Sequence, residues 1–189
     1  MTKIGLKELD LDGKRVFALA CASRVGGVVR YFGTSQAKAA FDKVIARLWC
    51  LAIEGSLDGE QLQTDILNTP DAEIDDCYRR GYYAMRSLGV LVDAIEAFQS
   101  DSEQGVEDAA QAAADGVCSL AADIFYIAGE QQDMLINETK EMKFQSKVID
   151  LAMAKAKNWK RRVENLCVTQ SWPEHEFSAI DVAHGWVKR

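Results

Sequence analysis

Apolar residues recur at helical intervals through most of this chain, and that rhythm decides the fold class. Ile74, Tyr78, Gly81, Met85, Leu88, Val92 and Ile95 follow one another in steps of 4, 3, 4, 3, 4 and 3. Val106, Ala110, Ala113, Val117, Leu120, Ile124 and Ile127 repeat the same steps. Side chains so spaced share one face of an α-helix, whereas a strand alternates every second residue. Strand signals are nearly absent, with no sustained alternation and no Asn-Gly hairpin. Two prolines in 189 residues leave few helix breakers. The chain is therefore expected to be all-α. It reads as a single domain over 1–189, a bundle of about six helices with a central antiparallel helical hairpin, and 1–10 and 173–189 at the periphery.

The expected helices follow from local signals. The first spans about 11–32, apolar nearly all round (Val16, Phe17, Leu19, Ala20, Val25, Val28) and hence central. Gly26-Gly27 would kink it or admit a close neighbour. Thr34 or Ser35 caps the second, which ends at Gly55. A short helix over 58–67 leads to Asn68-Thr69-Pro70, where an N-cap followed by proline opens the first hairpin helix. Ser100 and Glu103, at capping-box spacing, open the second. A last long helix over about 135–166 places Leu135, Met142, Ile149, Ala156 and Val163 seven apart.

Charge is distributed unevenly. No lysine occurs between Val44 and Thr139, and from Glu54 to Glu138 there are 19 carboxylates against Arg79, Arg80 and Arg86, a net of −16. Both flanks are net basic. A concentrated negative field repels nucleic acid and anionic lipid and attracts cationic surfaces. The basic last helix (Lys140 to Arg162) reads as a solvated face that pairs with the acidic hairpin. No apolar run approaches the ~20 residues of a membrane helix. Residues 16–22 read as a buried helix, because acids precede them where a signal peptide needs positive charge and Arg24 follows. A cytoplasmic protein is expected, with no nucleic-acid or membrane partner.

Catalytic patterns are scarce. The two histidines, His175 and His184, lie in the tail, and neither a Gly-x-Ser-x-Gly nor a phosphate loop occurs. The five cysteines form no C-x-x-C and read as small hydrophobes of a reducing compartment. No Glu-x-x-His pair exists for a di-iron site. Neither a metal nor a cofactor is expected, and the chain reads as a non-enzyme.

Three stretches, 17–25 (FALACASRV), 46–55 (ARLWCLAIEG) and the alanine-rich 109–129, closed by Trp159-Lys160-Arg161-Arg162, resemble the all-helical immunity proteins of bacterial polymorphic toxin systems. That resemblance implies a non-catalytic inhibitor of a cognate toxin acting in the cytoplasm. Here the alanine-rich helix lacks a histidine and the middle is unusually acidic. A negative surface suits a cationic toxin, such as a nuclease. The expected docking residues are Asp58, Glu60, Asp65, Asp71, Glu73, Asp75 and Asp76, with Asp123, Glu130 and Asp133 returning to the same side. Two alternatives stand beside this reading. One is a magnesium-dependent helical enzyme around Asp75, Asp76, Arg79 and Arg80. The other is a scaffold or regulator anchored by exposed Trp172 and Trp186. Oligomeric state is left open.

Overall fold

The computed structural model describes residues 5–55, 62–74, 79–127, 131–172, 177–183 and 185–186. Among these every regular element is a helix. A 3₁₀ turn, Gly5–Glu8, precedes α1 (Leu11–Arg24), α2 (Gly26–Phe32), α3 (Ser35–Glu54) and α4 (Leu62–Leu67). A second 3₁₀ turn, Pro70–Glu73, leads to α5 (Tyr82–Gln99), α6 (Glu103–Ile127), α7 (Gln131–Ala154), α8 (Trp159–Thr169) and α9 (Ser178–Ala183).

α1 is the axis of the molecule. Its segment from Val16 to Ala22 is fully buried, and it packs against α3, α5, α6, α7 and α8. The helix expected over 11–32 breaks at Val25, before the glycine pair. Gly27 gives the reason for a small residue there: a Cβ at this position would lie 2.0 Å from the Trp172 carbonyl oxygen. The segment after α8 thus crosses α2 in backbone contact. α3 has the expected ends. The Thr34 hydroxyl accepts from the Ala37 amide at 3.2 Å, and Gly55 closes the helix in the left-handed region at φ 76°.

Three sequence-based expectations are corrected. The helix opened by Pro70, with Thr69 at its cap, lasts one turn, and α5 starts only at Tyr82. In a continuous helix Ile74 and Gly81 would be about 10.5 Å apart along the axis. Here a Cβ on Gly81 would sit 2.4 Å from Ile74 Cδ1, so Ile74 and Gly81 are direct neighbours and not two turns of one helix apart. At the start of α6 the Ser102 hydroxyl, not Ser100, accepts from the Gly105 amide at 3.0 Å, and Glu103 turns to Lys14 instead of closing a capping box. The last helix divides into α7 and α8 through left-handed Lys155 (φ 41°) and Asn158 (φ 62°). The seven-residue stripe dissolves with it. Met142 is exposed, Ala156 lies in the break, and the buried face of α7 is Glu141, Phe144, Gln145, Val148, Ile149 and Ala152.

α5 and α6, joined by Ser100, Asp101 and Ser102, make the most extensive helix–helix contact. Val90 meets Gly116, and Arg86 reaches Ser119 and Asp123, so the contacts run in opposite directions along the two helices. Gly116 lets the helices approach: a Cβ there would lie 2.9 Å from Val90 Cγ2. Both chain ends, expected at the periphery, supply core. Leu6 and Leu9 are buried at one end, Phe177 and Ile180 at the other.

Candidate docking face

Of the seven carboxylates expected at the docking surface, three lie among the described residues. Asp71 is 1% exposed. Its carboxylate accepts from the Thr34 amide at 3.2 Å and from the Thr34 hydroxyl, tying the Pro70–Glu73 turn to the start of α3. A buried carboxylate with both oxygens engaged holds structure and presents nothing to a partner. Asp65 is ion-paired with Lys43 at 2.7 Å. Glu73 is exposed. Asp58, Glu60, Asp75 and Asp76 fall outside the described residues, as does Glu130. Asp123, expected on the same side, is bound to Arg86.

Of the described carboxylates open to solvent, five lie on α5, on α6 and on the turn between them, whereas Glu8, Asp10, Asp42, Glu54, Glu73 and Asp150 lie elsewhere. From Ser87 to Ile124 the chain has eight carboxylates and no basic residue. Glu96, Asp101, Glu103, Asp108 and Asp115 are exposed. Lys14, itself buried, reaches over to Glu107 at 2.8 Å and Glu103 at 3.3 Å. Asp108 and Asp115 meet only amides of their own helix, Gln104 at 2.7 Å and Gln111 at 3.0 Å. Half-buried Asp93 is pushed up to about 6, first by burial and then by the charge of Glu96. Beside this face the Gly5–Glu8 turn and α6 enclose a groove of about 420 Å³, lined by Glu8, Gln104, Glu107, Asp108 and Gln111.

The basic helices do not neutralise this face. The α7–α8 break sends Lys155 to Asp10 and Lys160 to Asp12, both at the start of α1. Lys160 also caps the carbonyl of Ala52, at the end of α3. Lys140, Lys143 and Lys147 stand exposed on α7, with no ion pair among the described residues.

The remaining polar chemistry is internal. Arg24 Nε donates to Glu141 Oε2 at 2.9 Å, and the guanidinium lies over the rings of Phe144 at 4.9 Å and Trp172 at 5.9 Å. Burial pushes the Glu141 carboxyl up against the opposing pull of Arg24. Burial also raises the Cys21 thiol strongly and takes the Cys167 thiol to about 12, so neither supplies a thiolate. Cys50, read with the others as a small hydrophobe, is exposed. Arg80 donates to Asp181 at 3.0 Å and stacks over Tyr31 and Phe32, which commits it to the contact that seats α9. Trp172 is buried, and Trp186 is half-buried against Phe32 and Tyr83, so neither is an exposed anchor. Among the described residues no three His, Cys, Asp or Glu side chains are grouped to hold a metal, and no helix is long and apolar enough to cross a membrane.

Sequence reasoning located the acidic middle of the chain but not the packing that buries Asp71 and pairs Asp65 and Asp123. One local signal went unused: from Ser87 to Ile124 carboxylates occur with no basic residue within the run. Comparison with family models, with curated proteins and with solved structures finds no match to this chain.

Proposed function

We propose that the chain is a non-catalytic immunity protein that binds a cognate cationic toxin in the cytoplasm and blocks it through an acidic surface. Its frame is read as one bundle built around the α5–α6 hairpin, with the outer face of that hairpin as the docking surface. The observation that carries this reading is the set of exposed carboxylates Glu96, Asp101, Asp108 and Asp115, none of them ion-paired among the described residues. Short side chains on a helix already packed on its other face lose little conformational freedom when a partner binds. Their summed field steers a basic protein toward them and raises its association rate. Glu73 lies outside this face and has no part in the proposal.

The partner to test is the protein encoded beside this one. Calorimetry should give a defined complex whose affinity falls at least tenfold between about 0.01 M and about 1 M salt, as the screening length drops from about 30 Å to about 3 Å. Asp101→Lys/Asp108→Lys/Asp115→Lys should weaken binding, and Asp71→Asn should act through stability alone. A complex indifferent to both salt and the triple reversal would remove the acidic face from the proposal.

A further inference from the structure

Among the outer helix faces that the described residues leave uncovered, those of α6 and α7 are opposite in predominant charge and in side-chain length. α6 exposes Asp108, Ala112, Asp115, Ser119 and Ala122, all short. α7 exposes Lys140, Lys143 and Lys147, in steps of three and four residues, with Asp150 next on the same stripe, opposite its buried Phe144, Val148 and Ala152. On the flank of that stripe Met142 is 43% and Met153 45% exposed. They are eleven residues apart, which returns to the same side of a helix. Long, flexible methionines left at a surface are suited to packing on small, flat partners.

We propose that these faces are the two halves of one contact, in which the lysine–methionine face of α7 docks on the carboxylate–alanine face of α6 in a second copy of this chain. Charge complementarity argues for that occupant. Residues 87–124 hold eight carboxylates and no basic residue, whereas residues 140–162 hold eight basic residues and two acidic. Pitch argues for it as well. Asp108 and Asp115 are seven residues apart on α6, as are Lys140 and Lys147 on α7, and seven residues of helix advance about 10.5 Å. The two faces do not satisfy each other within one molecule, because each points outward from helices that pack side by side. That adjacency also sets the symmetry. A two-fold rotation lays each α6 over the other copy's α7, so the contact is made twice and the assembly closes at two chains. Exposed ion pairs are individually weak, so the dimer forms at high protein concentration and low salt and is lost as salt rises.

The test is sedimentation equilibrium of the full chain over a range of concentrations, at about 0.01 M and about 1 M salt. Wild type should approach twice the monomer mass at low salt and return to monomer at high salt. Lys140→Glu/Lys143→Glu/Lys147→Glu and Asp101→Lys/Asp108→Lys/Asp115→Lys should each be monomeric at low salt, with helical circular dichroism unchanged. Mixed in equal amounts, they should regain a two-chain species, and one chain carrying both sets should self-associate again. A wild type that stays monomeric at low salt would overturn the proposal. So would a dimer indifferent to either reversal, variants that fail to recombine, or assemblies that grow beyond two chains. The lysine reversal leaves the carboxylate face intact, so its effect on self-association is separable from any loss of binding to a basic partner.

Discussion

The polar residues that matter most to this fold are those paired across long stretches of sequence. Arg24 and Glu141 are 117 positions apart and meet at 2.9 Å, with Glu141 only 1% exposed. Removing one partner of such a pair leaves a buried charge without compensation. Arg24→Ala is therefore expected to cost about 3–5 kcal/mol, measured by chemical denaturation. Glu141→Gln should cost clearly less, because the carboxyl is already biased toward its neutral form and the amide oxygen still accepts from Arg24. Asp93 carries the clearest pH signature. Its folded value of about 6 lies above its ordinary 3.8, so the folded state holds the proton more tightly than the unfolded chain. The stability this confers is present in full below pH ~3.8 and is lost as pH rises through about 6. Asp93→Asn removes the ionisation, so the variant should melt higher than wild type at pH 8, and the gain should vanish by pH 3.5. A gain equal at both values would mean that ionisation of Asp93 is not the cause.

Helix identity was legible in the sequence wherever spacing and caps agreed, and helix boundaries were lost wherever a distant contact overrode them. Thr34 and Gly55 delimit α3 as expected, because both signals are local. The start of α5 was missed because the Asp71 carboxylate is buried against Thr34, across 37 positions, and Ile74 packs on Gly81, from which a continuous helix would separate it. The division of α7 from α8 was missed because the Lys155–Asn158 connection contains neither glycine nor proline. Asparagine tolerates the left-handed region better than most residues, and the new direction lets Lys155 and Lys160 reach α1. The α6 cap separates the local reading from the geometry most cleanly. Ser102→Ala removes the acceptor of the Gly105 amide and should cost about 1 kcal/mol. Ser100→Ala, which the capping-box spacing would make the costly change, should fall within about 0.5 kcal/mol of wild type. Thermal melts of the two variants side by side decide between them.

For the molecule as a whole, the totals revealed an acidic middle and basic flanks but not which charges remain free. That depends on packing. Lysines were expected to cover the acidic hairpin, yet Lys155 and Lys160 bend away to Asp10 and Asp12, and the cations that reach α5, α6 and their turn are Lys14, Arg15 and Arg86. Like charges held on one rigid face repel more in the folded state than in an expanded chain. Salt shortens the range of that repulsion, but it also weakens exposed attractive pairs such as Lys43–Asp65 and Arg30–Asp42. Such pairs are worth about 0–1 kcal/mol each. The buried Arg24–Glu141 pair is screened little. Relief of repulsion should therefore win. At protein concentrations too dilute for self-association, the melting temperature should rise between about 0.01 M and about 1 M sodium chloride, by about 2–4 °C for each kcal/mol relieved. Asp108→Asn/Asp115→Asn removes two carboxylates with no basic partner among the described residues, so it should raise the low-salt melting temperature and flatten the response. If instead the wild type melts lower in high salt, attraction outweighs repulsion on this surface, and the α5–α6 carboxylates are already compensated within the molecule.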